Sequence, residues 1–281
     1  MKAFGLTLRI AAATLVLVAL QSLWNPPSSV ADLVYWLGAP AFSNLLIVLA
    51  LALVAASSNH NGWKLSGVLF VLYFGINQLN TLDEALLFSV GLKGHQALSM
   101  MGKGFVTSLI FVPLLVLILG CWKNKPPEDT KPLLTRSVAN WVGRILLGAL
   151  LYVLCYFAAG MIVFPFVKDF YTGINLPGPA SVLEMQVFRG LVYVAAGLVV
   201  AHGMKGHQAR AAIALGLSFP ILAGVAPLLL PNPFLPVYVR LAHGFEIGVS
   251  NFVYGILLGY VLTRKATPAA DEEQAESAEV L

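Results

Sequence analysis

The stretch WVGRILLGALLYVLCYFAAGMIVF, from Trp141 to Phe164, decides the fold class. Its single charged residue, Arg144, stands near its start. A bilayer core is crossed by roughly 20 mostly apolar residues in a helix. In lipid the backbone must satisfy its own hydrogen bonds, which only helices and closed barrels do. The run lacks the short alternating pattern of a barrel strand. It is therefore read as a membrane-spanning helix.

The same reading extends outward to eight spans. They lie at about Phe4–Leu23, Ala41–Ala56, Leu65–Phe88, Phe105–Trp122, Trp141–Phe164, Met185–Ala201, Ala211–Leu230 and Leu241–Leu262. Leu65–Phe88 is long enough to tilt or project. The first run follows Lys2 and contains Arg9, as a signal peptide might be arranged. Gln21-Ser22-Leu23-Trp24 has no small-x-small cleavage pattern, so a retained first helix is expected. The fold class expected is all-α, a polytopic membrane helical bundle of about eight transmembrane helices.

Composition agrees. Of 281 residues, 11% are charged and 58% hydrophobic, against about 25% charged in ordinary soluble domains. Mean hydropathy is +0.82. Too few charges remain to cover a soluble fold. This excludes a soluble globular enzyme, a disordered chain and a secreted disulfide scaffold. Cys121 and Cys155 cannot build a framework, and no bridge between them is expected.

Lys and Arg set the expected orientation. One side collects Lys2, Arg9, Lys64, Lys123, Lys125, Lys131, Arg136, Arg144, Lys205, Arg210, Arg264 and Lys265. The other has Lys93, Lys103, Lys168 and Arg240. Both termini are thus expected in the cytoplasm of a bacterial inner membrane. Residues 123–140 form a polar cytoplasmic linker between two four-helix halves, 1–122 and 141–265. Residues 266–281 form an acidic tail expected to be disordered. Lys-Gly-His-Gln-Ala occurs at 93–97 and again at 205–209, in non-equivalent places, and is read as coincidence. No motif points to nucleic acid. The expected partners are the lipid bilayer and a small-molecule or lipid ligand.

Ionisable groups inside spans are costly and mark function by default. Asn77, Asn80, Thr81 and Glu84 fall on one stripe of the third span, about 100° wide, with Asp83 beside it. Arg189 lies in the sixth span. His243, Glu246 and Asn251 lie in the eighth, after Arg240. All are expected in the outer leaflet. The candidate polar site is therefore Glu84, Arg189, His243, Glu246, Asn80, Asp83 and Asn251, with Arg189 expected near a carboxylate of Glu84 or Glu246. Glu184 fits a helix capping box with Ser181. His243-Gly-Phe-Glu246 puts an imidazole and a carboxylate on one helix face, a pairing suited to acid–base work. It lacks the repeated ligands of a metal bundle, so no metal or cofactor is expected. Gly244, Gly248, Gly255 and Gly259 line one face of the last span and predict a close helix contact.

Arg240-Leu-Ala-His243-Gly-Phe-Glu246, continuing to Gly255, resembles the last-helix signature of uncharacterised bacterial multi-span integral membrane proteins. Pro165–Tyr171 and Gln186–Gly190 resemble further segments of the same proteins. The resemblance covers mainly the second half, and it implies an integral membrane protein with no known activity. Glu184-Met-Gln-Val-Phe-Arg189-Gly also resembles the Glu-Glu-x-x-x-Arg motif of CAAX-type intramembrane proteases. Met185 replaces the second acid and breaks that motif.

Three functions compete. Transport or binding of a small molecule or lipid at the polar outer-leaflet site is favoured, although no interrupted helix is evident near the midplane. A hydrolase or transferase using His243 and the carboxylates is the enzyme alternative. A structural or accessory membrane subunit is the third.

Overall fold

The computed structural model describes residues 3–80, 94–123, 137–172, 174, 176–204, 208–230 and 235–264. These residues form a helical bundle. We label its helices α1 (Ala3–Ser22), α2 (Val30–Leu37), α3 (Ala39–Ser57), α4 (Gly62–Tyr73), α5 (Gly94–Ile118), α6 (Val138–Tyr171), α7 (Pro179–His202), α8 (Gln208–Pro220) and α9 (Val237–Thr263). Helix α4 runs on into a π-helical segment, Phe74–Leu79. Helix α8 does the same through Ile221–Val225, then closes with a last turn, Ala226–Leu229.

Among the described residues, seven helical stretches are long and apolar enough to cross a membrane, with α2 and α3 counted as one and α8 taken through Leu229. The other expected span, Leu65–Phe88, is helical from Gly62 to Asn80, where its described part ends. Much apolar surface faces outward. Phe4, Met161 and Phe166 are 76%, 73% and 75% exposed, a cost in water that lipid removes. The fifth span, α6 here, was expected to end near Phe164. Instead its 34 residues run through Pro165 to Tyr171, about 51 Å at 1.5 Å per residue. That exceeds a hydrocarbon core of about 30 Å, so α6 projects from it.

Helix ends leave carbonyls without partners, and apolar surroundings make this expensive. Arginines from distant helices supply many of the donors. Arg9 Nη1 donates to the Leu119 carbonyl, 2.6 Å away, just past the end of α5. The chain turns there at Gly120, whose φ of +75° suits glycine. Arg144 on α6 donates to the carbonyls of Val261 and Arg264 at the end of α9. Arg240 on α9 donates to Leu228 and Leu230 at the end of α8, at 3.3 and 2.6 Å. A cation at a helix C-terminus also meets the negative end of the helix dipole.

The ends fall into two sets. At one, the Asn59 amide donates to Gly203 O at 2.7 Å and Gly62 to Cys121 O at 3.0 Å. Gln208 Nε2 reaches Thr263 O at 3.2 Å in the same layer. Burial first, then His202 and Lys64, holds the His60 imidazole below its ordinary range there. At the other end Trp24 Nε1 donates to Thr107 Oγ1 at 2.8 Å, and Tyr171 meets His243. Helices therefore alternate in direction, as the expected spans do. Cys121 and Cys155 are free thiols.

The glycine face of α9 packs against α8. A Cβ on Gly255 would lie 2.6 Å from the Leu215 carbonyl oxygen, and one on Gly259 would overlap Ala212. The groove opens toward Gly248 and Gly244, where a Cβ would be 3.6 Å from Val225 and 4.0 Å from Leu228. On another face, fully buried Leu258 fills the hollows left by Gly148 of α6 and Gly197 of α7. Helix α9 is thus clasped from several sides. We expect Gly255→Leu to abolish folded yield, since backbone on α8 must move. Gly248→Leu should cost far less. Monodisperse protein recovered by size-exclusion chromatography reads both; equal recovery would remove the close contact.

Candidate functional site

Two π-segments face each other inside the bundle. They follow 12 residues of α4 and 13 of α8, which start at the same end of the bundle and run in the same direction, hence similar depths of about 18–20 Å. A π-turn widens the helix and disturbs the regular carbonyl pairing, and such turns collect at functional sites. Asn77, within the first, donates through Nδ2 to the Leu222 carbonyl of the second at 2.8 Å. Both helices stay continuous through these turns, but their repeat changes. Hydrophobicity carries no trace of a one-residue change in helical repeat.

Above Asn77 an open cavity of about 650 Å³ lies between α1, α2, α3, α4, α5 and the end of α8. Ligand pockets commonly span about 300–1,000 Å³. Its deep wall carries amides. Asn44 Nδ2 donates to Gln21 Oε1 at 2.8 Å, and Gln78 Nε2 to Asn77 Oδ1 at 2.6 Å. Ser43 Oγ donates to the Ala226 carbonyl at 2.7 Å. Trp24, Tyr35 and Trp36 supply aromatic surface. Lys103 lines the cavity with its ammonium 6.0 Å from the Trp24 ring centre.

Helix α2 forms part of the cavity. Its N-cap Ser29 accepts from the Asp32 amide at 3.1 Å. Asp32 Oδ2 accepts from the Ser28 amide at 2.9 Å and from its hydroxyl at 2.7 Å. Tyr35 and Trp36 line the cavity, while Val30 and Val34 are 78% and 64% exposed. One face thus serves the site and another is left for lipid.

The residues selected from sequence form two bonded groups. Arg189, buried on α7, donates through Nη2 to the Asn80 carbonyl at 3.0 Å. Asp83 and Glu84 lie outside the described residues. On α9, Glu246 Oε2 and His243 Nδ1 are 2.7 Å apart. The other ring nitrogen, Nε2, lies 2.7 Å from the Tyr171 hydroxyl of α6. Glu246 faces Gly160 of α6, where a Cβ would be 3.4 Å from Oε1. Asn251 donates to the Ile247 carbonyl of its own helix at 3.0 Å. The Gln186 amide, fully buried one turn before Arg189, has no hydrogen-bond partner among the described residues.

Below Arg189 an aromatic cluster ties four helices together. Tyr193 of α7 lies 4.7 Å from Tyr152 of α6 and 4.9 Å from Phe219 of α8, centre to centre. Tyr254 of α9 lies 5.1 Å from Tyr152. Such contacts add packing beyond area burial and make a rigid base beneath the polar layer.

No family model, curated protein or solved structure matches this chain. Its long apolar helices are those of a multi-span membrane protein.

Sequence reasoning missed the cavity because its amides are divided among helices. Asn44 lies next to Ser43 near the start of the second apolar run. Gln21 stands at the end of the first span, where a lone amide carries no distinct signal. Ser28-Ser29 three to four residues before Asp32 was a legible helix start.

We expect Arg189→Leu to lower stability by about 1.5–3 kcal/mol, the contribution of a hydrogen bond made by a charged group. The unfolding midpoint of purified protein in detergent measures this. An unchanged midpoint would mean that Arg189 does not join α7 to α4.

Proposed function

We propose that this polytopic membrane protein binds, and carries, a small amphipathic molecule or lipid through the outer cavity. The carrying observation is the coincidence of amides and aromatic rings in one space of about 650 Å³. Amides in an apolar setting offer hydrogen bonds that a hydrocarbon chain cannot use. Aromatic rings offer surface that a fully hydrated ion cannot use. A molecule having both kinds of surface fits best. The paired π-segments support a carrier role, because Asn77 joins the cavity wall to the contact between α4 and α8. A change in the ligand's hold on Asn77 is thereby coupled to helix packing.

The basic end, with Arg9, Lys64, Arg144, Arg210 and Arg264, supports a cytoplasmic position for that end in a bacterial inner membrane. The cavity then opens toward the outer leaflet. A second reading rests on Tyr171, His243 and Glu246. Their hydrogen-bonded sequence provides an imidazole oriented by a carboxylate, which suits general acid–base transfer in a hydrolase or transferase.

The full chain in a neutral detergent, screened by thermal unfolding against short-chain lipids and small amphiphiles, tests the binding reading. A ligand at 100 times its Kd should stabilise the folded protein by about 2.7 kcal/mol. Asn44→Leu should remain folded and lose the shift, whereas Glu246→Gln should retain it. Loss only in Glu246→Gln would favour the acid–base site instead. No shift with any member of the screen would oppose the cavity reading.

A further inference from the structure

We infer that the cavity selects a ligand bearing an anionic headgroup, with Lys103 as its charge-recognising residue. This rests on the proposed role of the cavity in amphiphile binding. Among the described residues, two charged side chains line the cavity, Asp32 and Lys103. They differ in how their charge is used. Asp32 Oδ2 already accepts two hydrogen bonds from Ser28, and the Asp32 amide is held by Ser29. Its carboxylate is thus committed to starting α2. Lys103 has no acidic partner among the described residues; its ammonium lies near the face of Trp24. That indole is itself held by the hydrogen bond from Nε1 to Thr107.

The arrangement orders three kinds of chemistry along the cavity. Lys103 offers a compact positive charge, a form that suits phosphate or carboxylate oxygens. Trp36 and Tyr35 offer apolar surface for the adjoining part of the ligand. Gln21, Asn44 and Gln78 offer neutral hydrogen bonds deeper in. A cationic headgroup would meet the Lys103 ammonium at the ring it would otherwise stack upon. An anion instead gains a partner in surroundings less screened than bulk water. The shared chemistry is an anionic oxyacid group, whether on a lipid or free in solution.

Binding can be read by fluorescence on the full chain carrying Trp63→Phe, Trp122→Phe and Trp141→Phe, which leaves Trp24 and Trp36 as the reporters. The probes are dioctanoyl phosphatidylglycerol, dioctanoyl phosphatidylcholine, dioctanoylglycerol and inorganic phosphate. The anionic lipid should bind about tenfold tighter than the zwitterionic one, equivalent to about 1.4 kcal/mol. Its affinity should fall with salt. Lys103→Gln should erase the preference, bringing the affinity for the anionic lipid down to that for the zwitterionic one. Competition by inorganic phosphate alone would assign the anion to a free solute; competition only by the anionic lipid would assign it to a headgroup. Equal affinity for both phospholipids, or a preference that survives Lys103→Gln, would overturn the inference and leave amphiphile binding standing. Failure of every probe to change fluorescence, together with the absence of a thermal shift, would instead remove the binding role itself.

Discussion

The bundle depends on satisfying backbone carbonyls at places where a helix cannot satisfy them. Lipid offers no replacement donors at a helix end or a widened turn. The chain has 17 Lys and Arg residues in 281 positions, and among the described residues four arginines, Arg9, Arg144, Arg189 and Arg240, bind carbonyls of other helices. Arg9, Arg144 and Arg240 close the ends of α5, α9 and α8. Arg189 reaches Asn80, beyond the π-segment of α4. Each bond both discharges a local cost and fixes two helices against one another. A hydrogen bond to a charged group contributes about 1.5–3 kcal/mol, more than generic apolar contact between helices surrounded by lipid supplies at a single point.

Close packing then follows between those tethers. Arg240 anchors the start of α9 to the end of α8, and Gly255 and Gly259 let their backbones approach farther along. Leu258 uses the glycines of α6 and α7 as receiving hollows. Tyr152, Tyr193, Phe219 and Tyr254 lock the same helices by ring contacts. The first half is joined to the second through α3 and α8, where Ser43 bonds Ala226, and through Asn77 and Leu222. The cavity sits beside these last two contacts, where the packing is polar and the helices are π-wound.

The spans were legible because their apolar runs exceed the length needed by a membrane. The glycine face was legible because spacing along one helix defines a surface. Arg189 and Asn80 were both singled out, but their bond was not, because it uses the Asn80 backbone rather than a carboxylate. A carbonyl leaves no mark in the sequence. Likewise, Phe74–Leu79 and Ile221–Val225 contain no signal that separates a π-turn from an α-turn. The cavity was hidden because Gln21, Asn44 and Gln78 meet only after three helices pack. Helix α2 was available from Ser28, Ser29 and Asp32, but its shortness placed it below a search for membrane spans.

The central claim is that a polar cavity enters the bundle from the outer side and reaches the π-segment of α4. Cysteine accessibility measures this directly. In intact cells, a chain with Cys121→Ser and Cys155→Ser would carry Gln78→Cys in the cavity wall or Ser108→Cys in the packed interior. A small membrane-impermeant thiol reagent should label position 78 and leave position 108 unlabelled. Labelling at 108 with none at 78, in chains that are equally well folded, would contradict the account.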